Sequence, residues 1–200
     1  MNKKIIIVLI VLISQIGISQ KRFEAKKIGF SINVPINWIA VENDEILKNL
    51  NKYDFTEEQL NELLKSNNSS VSLATYSKYD LKKVSGIIPT IKIRTNKNET
   101  NSTADFLKYV ENSLESAKKS LNNFIFSDYP TIIKISNLEV IKFSVRFTLL
   151  IGEKEHEIIS NSYYIPKKGY YISLNFIEEI GKEDNSLFFQ ELVKSIVLTN

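Results

Sequence analysis

The most constraining feature of the sequence is a run of alternating side chains in its C-terminal third. Between residues 141 and 151 every odd position is apolar, and the even positions are mostly polar. Successive side chains of a β-strand point to opposite faces of a sheet, so this alternation predicts a strand with one apolar face. Since the run would span roughly 36 Å at about 3.3 Å per residue, we expect it to bend, carry a bulge or project beyond the sheet.

Two short turns continue this pattern into a meander over residues 138–177. Gly152 lies in the first turn, and Pro166 and Gly169 lie in the second, where φ-fixing and φ-permissive residues favour a reversal. Short connections join antiparallel neighbours, because a parallel return needs a crossover of about a dozen residues. The fold class predicted is therefore α+β, with a mostly antiparallel sheet covered by helices.

Shorter patterns elsewhere predict the remaining elements. Strands are predicted at 23–28 and 30–34, paired across Gly29, and at 71–76, 87–95, 124–126, 131–135 and 196–198. Helices are predicted at 44–51, 56–66, 103–121 and 184–195. The longest, with Ser102 or Thr103 as its cap, carries apolar residues in steps of three and four and must lie on the sheet. The two helices within 44–66 form an insertion that is either plain cover or a movable flap.

The N-terminal segment has the order of a secretory signal peptide. Lys3 and Lys4 precede an unbroken apolar run over residues 5–13, and small residues follow at 17–19. The run is shorter than the roughly 20 residues that span a bilayer, although a retained N-terminal anchor is the alternative. We expect cleavage before Gln20, which leaves residues 20–200 as a single globular domain and an exported, periplasmic or secreted protein without stable membrane insertion.

Charge and cysteine content indicate which binding partners and covalent modifications are not expected. Removing Lys3 and Lys4 leaves 24 basic against 23 acidic residues, so the formal net charge falls from +3 to +1. A nearly neutral protein gives no electrostatic reason to expect binding to nucleic acid or an anionic membrane. The chain contains no cysteine, so we expect no disulfide and no lipid-modified cysteine after the signal.

Aromatic residues offer two candidate recognition features. Trp38, the only tryptophan, is expected to pack the end of strand 30–34 against the core, and a ligand platform is the alternative. Tyr163-Tyr164 and Tyr170-Tyr171 flank the second turn, where alternation places one ring of each pair on each face. Ordinary sheet packing explains them, and a shared aromatic recognition patch is the alternative.

Catalytic and metal-binding patterns are not found in the sequence. His156 is the only histidine, and its place between Glu155 and Glu157 favours a solvent-facing or edge-strand position. Four acidic residues near Gly181 could offer oxygen atoms to calcium but lack the regular spacing, so we expect a solvated loop in which the aspartate caps a helix: Glu178, Glu179, Glu183 and Asp184. No catalytic, cofactor-binding or metal-binding residue is therefore predicted, and no enzyme is expected.

The order of features resembles the PsbP-like alpha/beta/alpha sandwich class. The likeness rests on a GFSINVPINW strand with its Pro-x-x-Trp corner, a long central helix, a GYYISLNF strand and a last helix ending LVKSIVL. This resemblance implies a mostly antiparallel sheet between helices and a role in binding or assembly rather than catalysis. It supplies no catalytic residues, and the helices within 44–66 depart from the short loop expected there.

Three functions are compatible with these patterns. The favoured one is a non-enzymatic binding or assembly module of the cell envelope that engages a protein partner. The second is a carrier of a small molecule or lipid, with a pocket between the sheet and the helices within 44–66. The third is a hydrolase that uses a serine or aspartate with His156.

Overall fold

The computed structural model describes residues 21–41, 70–135 and 137–199. In chain order their strands and helices are β1 (Arg22–Ala25), β2 (Phe30–Asn33), β3 (Ile39–Ala40), β4 (Ser70–Ser77), β5 (Thr90–Lys97), α1 (Thr103–Ser120), β6 (Asn122–Ile135), β7 (Leu138–Ile151), β8 (Lys154–Pro166), β9 (Tyr170–Glu179), α2 (Ser186–Lys194) and β10 (Val197–Leu198). Seven strands form one sheet in the order β3-β4-β5-β9-β8-β7-β6, with antiparallel neighbours throughout. The α+β class and the C-terminal meander are confirmed.

A second, three-stranded sheet contains the N-terminal hairpin. β2 pairs with β1 on one side and with β10 on the other. A 3₁₀ turn, Lys26–Ile28, leads into Gly29, whose φ of 60° lies in the left-handed region that glycine adopts at low cost. The hairpin predicted across Gly29 is therefore present, and the closing strand predicted at 196–198 completes its sheet.

The two faces of the large sheet have separate hydrophobic cores. On one face, α1 packs its predicted apolar stripe onto β6 and β7, around Phe106, Val110 and Phe143. On the other face lie α2 and the small sheet, whose core includes Ile32, Phe176 and Phe189. The layers are thus α1, the large sheet, and α2 together with the small sheet. A long strand of the large sheet can therefore bury side chains on both of its faces.

β7 has the alternation that the sequence predicts. Two side chains of its polar face, Ser144 and Thr148, are buried, because β7 is an inner strand. Its length has the expected consequence. β9 pairs with β8 only as far as Glu179 opposite Ile158, so the β7–β8 hairpin projects beyond the sheet towards its turn at Gly152.

Two strand boundaries differ from their predictions for local reasons. The separate pieces predicted at 124–126 and 131–135 are one edge strand, β6, whose register shifts on both sides of Asp128. Such bulges accommodate Pro130 within a strand because an edge position leaves one side of the backbone unpaired. β5 begins at Thr90, directly after Pro89, because a proline has no amide hydrogen to donate to the ladder.

The end of β2 is fixed by aromatic packing. Trp38 stacks on Phe188 with ring centroids 5.6 Å apart and meets the edge of Phe189 at 6.1 Å. This is the packing role predicted for Trp38, and α2 provides its partners.

Some predictions concern residues outside the described ranges. These are the signal peptide over residues 1–19 and the two helices within 44–66. Among the residues that the structure does describe, neither helix is long and apolar enough to cross a membrane.

Replacing Ser102 with alanine is expected to lower the free energy of unfolding by about 0.5–2 kcal/mol, the usual value of a helix cap. The Ser102 hydroxyl accepts a hydrogen bond from the Asp105 amide at 3.1 Å, so the first turn of α1 would lose a partner. Urea denaturation measures the change. Ser116→Ala, on the exposed side of the same helix, is the control, and a loss of equal size there would contradict the capping role.

Candidate functional site

A charged cluster lies at the end of the sheet where β4 and β9 finish, and it contains the only histidine. The sequence prediction for His156 was wrong: its side chain is 5% exposed, because Glu179 at the end of β9 and Gly86 in the loop before β5 lie against it. Its Nδ1 lies 2.9 Å from Glu179 Oε1. The flanking Glu155 and Glu157 are exposed, because alternation points them to the opposite face.

Glu179 connects the histidine to a lysine on the following turn. Lys182 Nζ lies 2.7 Å from Glu179 Oε2. Partial burial raises the pKa of Glu179, but hydrogen bonds from Lys182 and His156 outweigh it, so the pKa lies below its ordinary value. The carboxylate is therefore held ionised between two donors.

The remaining acidic residues of this turn are also engaged, which corrects the prediction of a solvated loop. Glu178 is buried and accepts hydrogen bonds from the Asn185 backbone and side-chain amides at 3.2 and 2.7 Å. Glu183 pairs with Lys78 and accepts a hydrogen bond from the Tyr79 hydroxyl at 2.5 Å. These bonds attach the turn before α2 to the ends of β4 and β9.

Asp184 has a capping role close to the predicted one. Its Oδ1 accepts a hydrogen bond from the Ser186 amide at 2.9 Å, at the start of α2. Hydrogen bonds from Ser186 lower the pKa of Asp184 below its ordinary value. Among the described residues no three His, Cys, Asp or Glu side chains come close enough together to hold a metal ion.

A cleft of about 200 Å³ lies beside this cluster. Its apolar wall comes from the loop after β4, and its polar wall comes from the turn after β9. The lining residues are Tyr79, Val84, Ser85, Ile87, Pro89, Glu179, Lys182 and Glu183. Since each carboxylate in the lining already has a partner within the protein, the cluster has the character of a structural clamp.

Glu179→Gln is expected to weaken the dependence of stability on pH in the acid range. Because the folded-state pKa of Glu179 is lowered, its interactions stabilise the fold above the ordinary value of 4.5 and are lost as the pH falls towards the lowered pKa. Urea unfolding between about pH 7 and 3 should show the wild type losing more stability than the variant. Parallel curves would contradict the pairing, and Glu115→Gln on the exposed side of α1 is the control.

A second polar surface lies on the α1 side of the sheet, over β4, β5, β9 and β8. Strand register places Thr75, Lys92, Asn175 and Ser162 in one cross-strand row. The next row contains Ser72, Arg94, Ser173 and Tyr164. We call these eight residues the open face. In the part of the chain that the structure describes, the core under α1 takes no residue from β4 or β5.

The two cations of the open face have no acidic partner among the described residues. Lys92 is half-buried and Arg94 is exposed, and no carboxylate among the described residues lies within 4 Å of either charged group. Burial lowers the pKa of Lys92, and the positive charge of Arg94 lowers it further. This contrasts with the charged cluster, where Lys78 and Lys182 are both paired.

Buried polar groups form the floor between these cations and the tyrosines. Ser162 donates a hydrogen bond to Asn175 Oδ1 at 2.9 Å, and Asn96 donates to Ser173 Oγ at 3.0 Å. The serines are 2% and 3% exposed. An inner part of a sheet that packed against a hydrophobic layer would carry apolar side chains here, so this composition indicates a polar environment.

Where the open face borders α1, Tyr164 forms a tyrosine rim with Tyr171 and Tyr109. Tyr164 and Tyr171 pack with ring centroids 5.2 Å apart, and Tyr109 of α1 meets Tyr171 at 6.5 Å. Burial raises the pKa of Tyr164 to about 12, an effect that the charge of Arg94 partly opposes. The alternation predicted for the tyrosine pairs is confirmed, since Tyr163 and Tyr170 belong to the core on the opposite face.

Sequence reasoning did not single out the open face, although it recognised the strands that build it. Lys92 and Arg94 alternate with isoleucines within the strand predicted at 87–95, and Ser173 and Asn175 alternate with apolar residues in the last run of the meander. The signal was the matching polar alternation of the two strands. The sequence did not show that β5 pairs with β9, because α1 and three other strands separate these two segments.

Comparisons with known proteins identify the fold. The chain matches no protein-family model and no curated protein. Among solved structures it is similar to cyanobacterial PsbP (CyanoP) from Synechocystis sp. PCC 6803, with a TM-score of 0.55 at 11% identity over 92% of this chain and 96% of that one. The resemblance to the PsbP-like alpha/beta/alpha sandwich class is therefore confirmed as a likeness of fold.

Two weaker matches have TM-scores below 0.5. LpqN, involved in cell envelope biogenesis of Mycobacterium tuberculosis, gives 0.47 at 11% identity over 92% of this chain and 88% of that one. A protein of unknown function from Pseudomonas aeruginosa, PA94, gives 0.46 at 13% identity over 59% and 79%.

Proposed function

We propose that this protein is an exported, non-enzymatic binding module of the cell envelope that engages a protein partner through its open face. The observation that carries this proposal is a pair of cations on a polar part of the sheet, Lys92 and Arg94, to which the described part of the chain offers no acidic partner. Partial burial of a charge costs free energy unless a counter-charge pairs with it, so the half-buried Lys92 supports a surface on which a partner supplies that counter-charge.

The assignment to the envelope rests on the N-terminal sequence. A basic start, an apolar run over residues 5–13 and small residues before Gln20 have the order of a cleaved export signal. The absence of cysteine is consistent with export as a soluble, non-lipidated protein. The described part of the chain adds no membrane-spanning helix.

The proposal of a non-catalytic role rests on the state of the charged cluster. A general base must be within hydrogen-bond reach of the proton that it removes. His156 is buried against Glu179, and in the described part of the chain no serine hydroxyl donates a hydrogen bond to it. Glu178, Glu179 and Glu183 each bind a neighbouring side chain, which supports a structural use of this cluster.

The carrier function is not favoured by a specific observation. The pocket expected for it borders residues 44–66, which lie outside the described ranges. The cleft beside Tyr79 has a volume of about 200 Å³, below the roughly 300–1,000 Å³ of typical small-molecule sites.

Cross-linking from single cysteines tests the proposed function. Because the chain has no cysteine, Thr75→Cys places one thiol on the open face, and Lys118→Cys places one on the exposed side of α1 as the control. Each variant, carrying a photoactivatable cross-linker, is added to an envelope extract of the native host. We expect a protein adduct of defined size from Thr75→Cys that excess unmodified protein suppresses. Equal adducts from both positions, or none, would contradict docking at the open face.

A further inference from the structure

We propose that the partner presents an acidic segment, one of whose carboxylates binds between Lys92 and Arg94. This inference rests on the proposed function, because it names the chemistry of the partner at the same face. It goes further in stating which two side chains provide the affinity and what charge they select.

Strand geometry brings the two cations to one position. Lys92 and Arg94 are two residues apart on β5 and therefore share a face, with their Cα atoms about 7 Å apart. This separation allows one carboxylate to contact the ammonium and guanidinium groups together. Arg94 offers a planar pair of donors that matches a carboxylate, and Lys92 adds a compact positive charge.

The electrostatic state of the site favours an anion. Two like charges on neighbouring same-face positions repel each other, and the half-buried Lys92 has lost part of its hydration. Both penalties fall when a carboxylate enters. No acidic side chain of the described residues lies within 4 Å of either cation, so none of them would compete with an added carboxylate for this position.

The surroundings distinguish an acidic peptide from other anions. Nucleic-acid sites typically make about 6–10 phosphate contacts, and lipid-binding patches contain clusters of about 4–8 basic residues, whereas the open face has two cations. The partly exposed Thr75 and Asn175 supply hydrogen-bonding surface beside the charges, and the tyrosine rim supplies flat apolar surface. Peptide backbone and side chains use both kinds of surface.

Titration with a glutamate hexapeptide tests this inference. The full mature chain is compared with a Lys92→Gln/Arg94→Gln variant by calorimetry at low salt. Lys118→Gln/Lys119→Gln is the matched control, because it removes the same charge from the exposed side of α1. We expect the open-face variant to bind at least tenfold more weakly and the control to bind like the wild type, with an affinity that falls as salt is added.

Three further measurements complete the test. The open-face variant should unfold at the same or a higher urea concentration than the wild type, because it removes a repulsion. Binding that is equal in both variants, or that sulfate or an acidic polysaccharide reproduces at the same affinity, would overturn the assignment to an acidic peptide.

If the hexapeptide does not bind while the Thr75→Cys adduct persists, the inference fails and the proposed function stands. If the adduct is also absent, both fail.

Discussion

Replacing Phe176 with alanine is expected to lower the free energy of unfolding by about 3–5 kcal/mol, the usual cost of deleting a buried aromatic ring. Phe176 has 0% exposure and lies in β9, in the middle of the large sheet. Its ring packs against Phe189 at 4.7 Å and Tyr163 at 5.9 Å between centroids, so it joins α2 to two strands. The cavity left by its removal cannot be filled without moving all three elements.

Urea denaturation measures this loss, and Leu187 supplies the control. Leu187 is 77% exposed on α2, so Leu187→Ala should change stability by no more than about 0.5 kcal/mol. A loss below about 1 kcal/mol for Phe176→Ala would mean that the core around β9 is not packed as described.

Gly29→Ala is expected to displace the C-terminal strand from the small sheet. A Cβ at Gly29 would lie 1.9 Å from the Thr199 carbonyl oxygen, and the φ of 60° disfavours any residue with a side chain. The left-handed backbone alone costs about 1–2 kcal/mol. The clash adds to this and breaks the hydrogen bond from the Thr199 amide to the Gly29 carbonyl, which is 2.7 Å long.

Gly152→Ala separates the two effects. Gly152 has a similar φ of 63°, but a Cβ there would meet no atom within 4 Å. Gly152→Ala should therefore lower the free energy of unfolding only by the backbone contribution of about 1–2 kcal/mol. Gly29→Ala should lower it by more, and should also reduce the amide-exchange protection at Thr199. Equal losses in the two variants would show that the contact between Gly29 and Thr199 is absent.

Local patterns were sufficient to predict the elements whose bonding partners are close in sequence. The stripe of α1, its Ser102 cap and the β7–β8–β9 meander follow from periods of 3.6 and 2 and from turn residues. The PsbP-like order of elements also followed, because it depends on the succession of these patterns along the chain. Bulges such as those around Asp128 were not predicted, because a shift of register depends on the neighbouring strand.

The candidate site could not be predicted, because it depends on contacts between distant segments. The pairing of β5 with β9 makes Lys92 and Arg94 neighbours of Ser173 and Asn175. Likewise, His156 is buried only because the end of β9 and the loop before β5 come together around it, next to Glu179. Composition indicated a nearly neutral protein, and a total charge does not reveal that Lys182 is paired in the charged cluster while Lys92, on another surface, has no acidic partner among the described residues.

The central claim is that an acidic segment binds at the open face, and amide shift mapping by NMR tests it most directly. Adding a glutamate hexapeptide to the isotope-labelled mature chain should shift the amide signals around Lys92, Arg94 and Ser173. Signals at the charged cluster near Lys182 and on the exposed side of α1 near Lys118 should stay unchanged. Shifts that are largest near Lys182 or Lys118, or no shifts at millimolar peptide, would contradict the account.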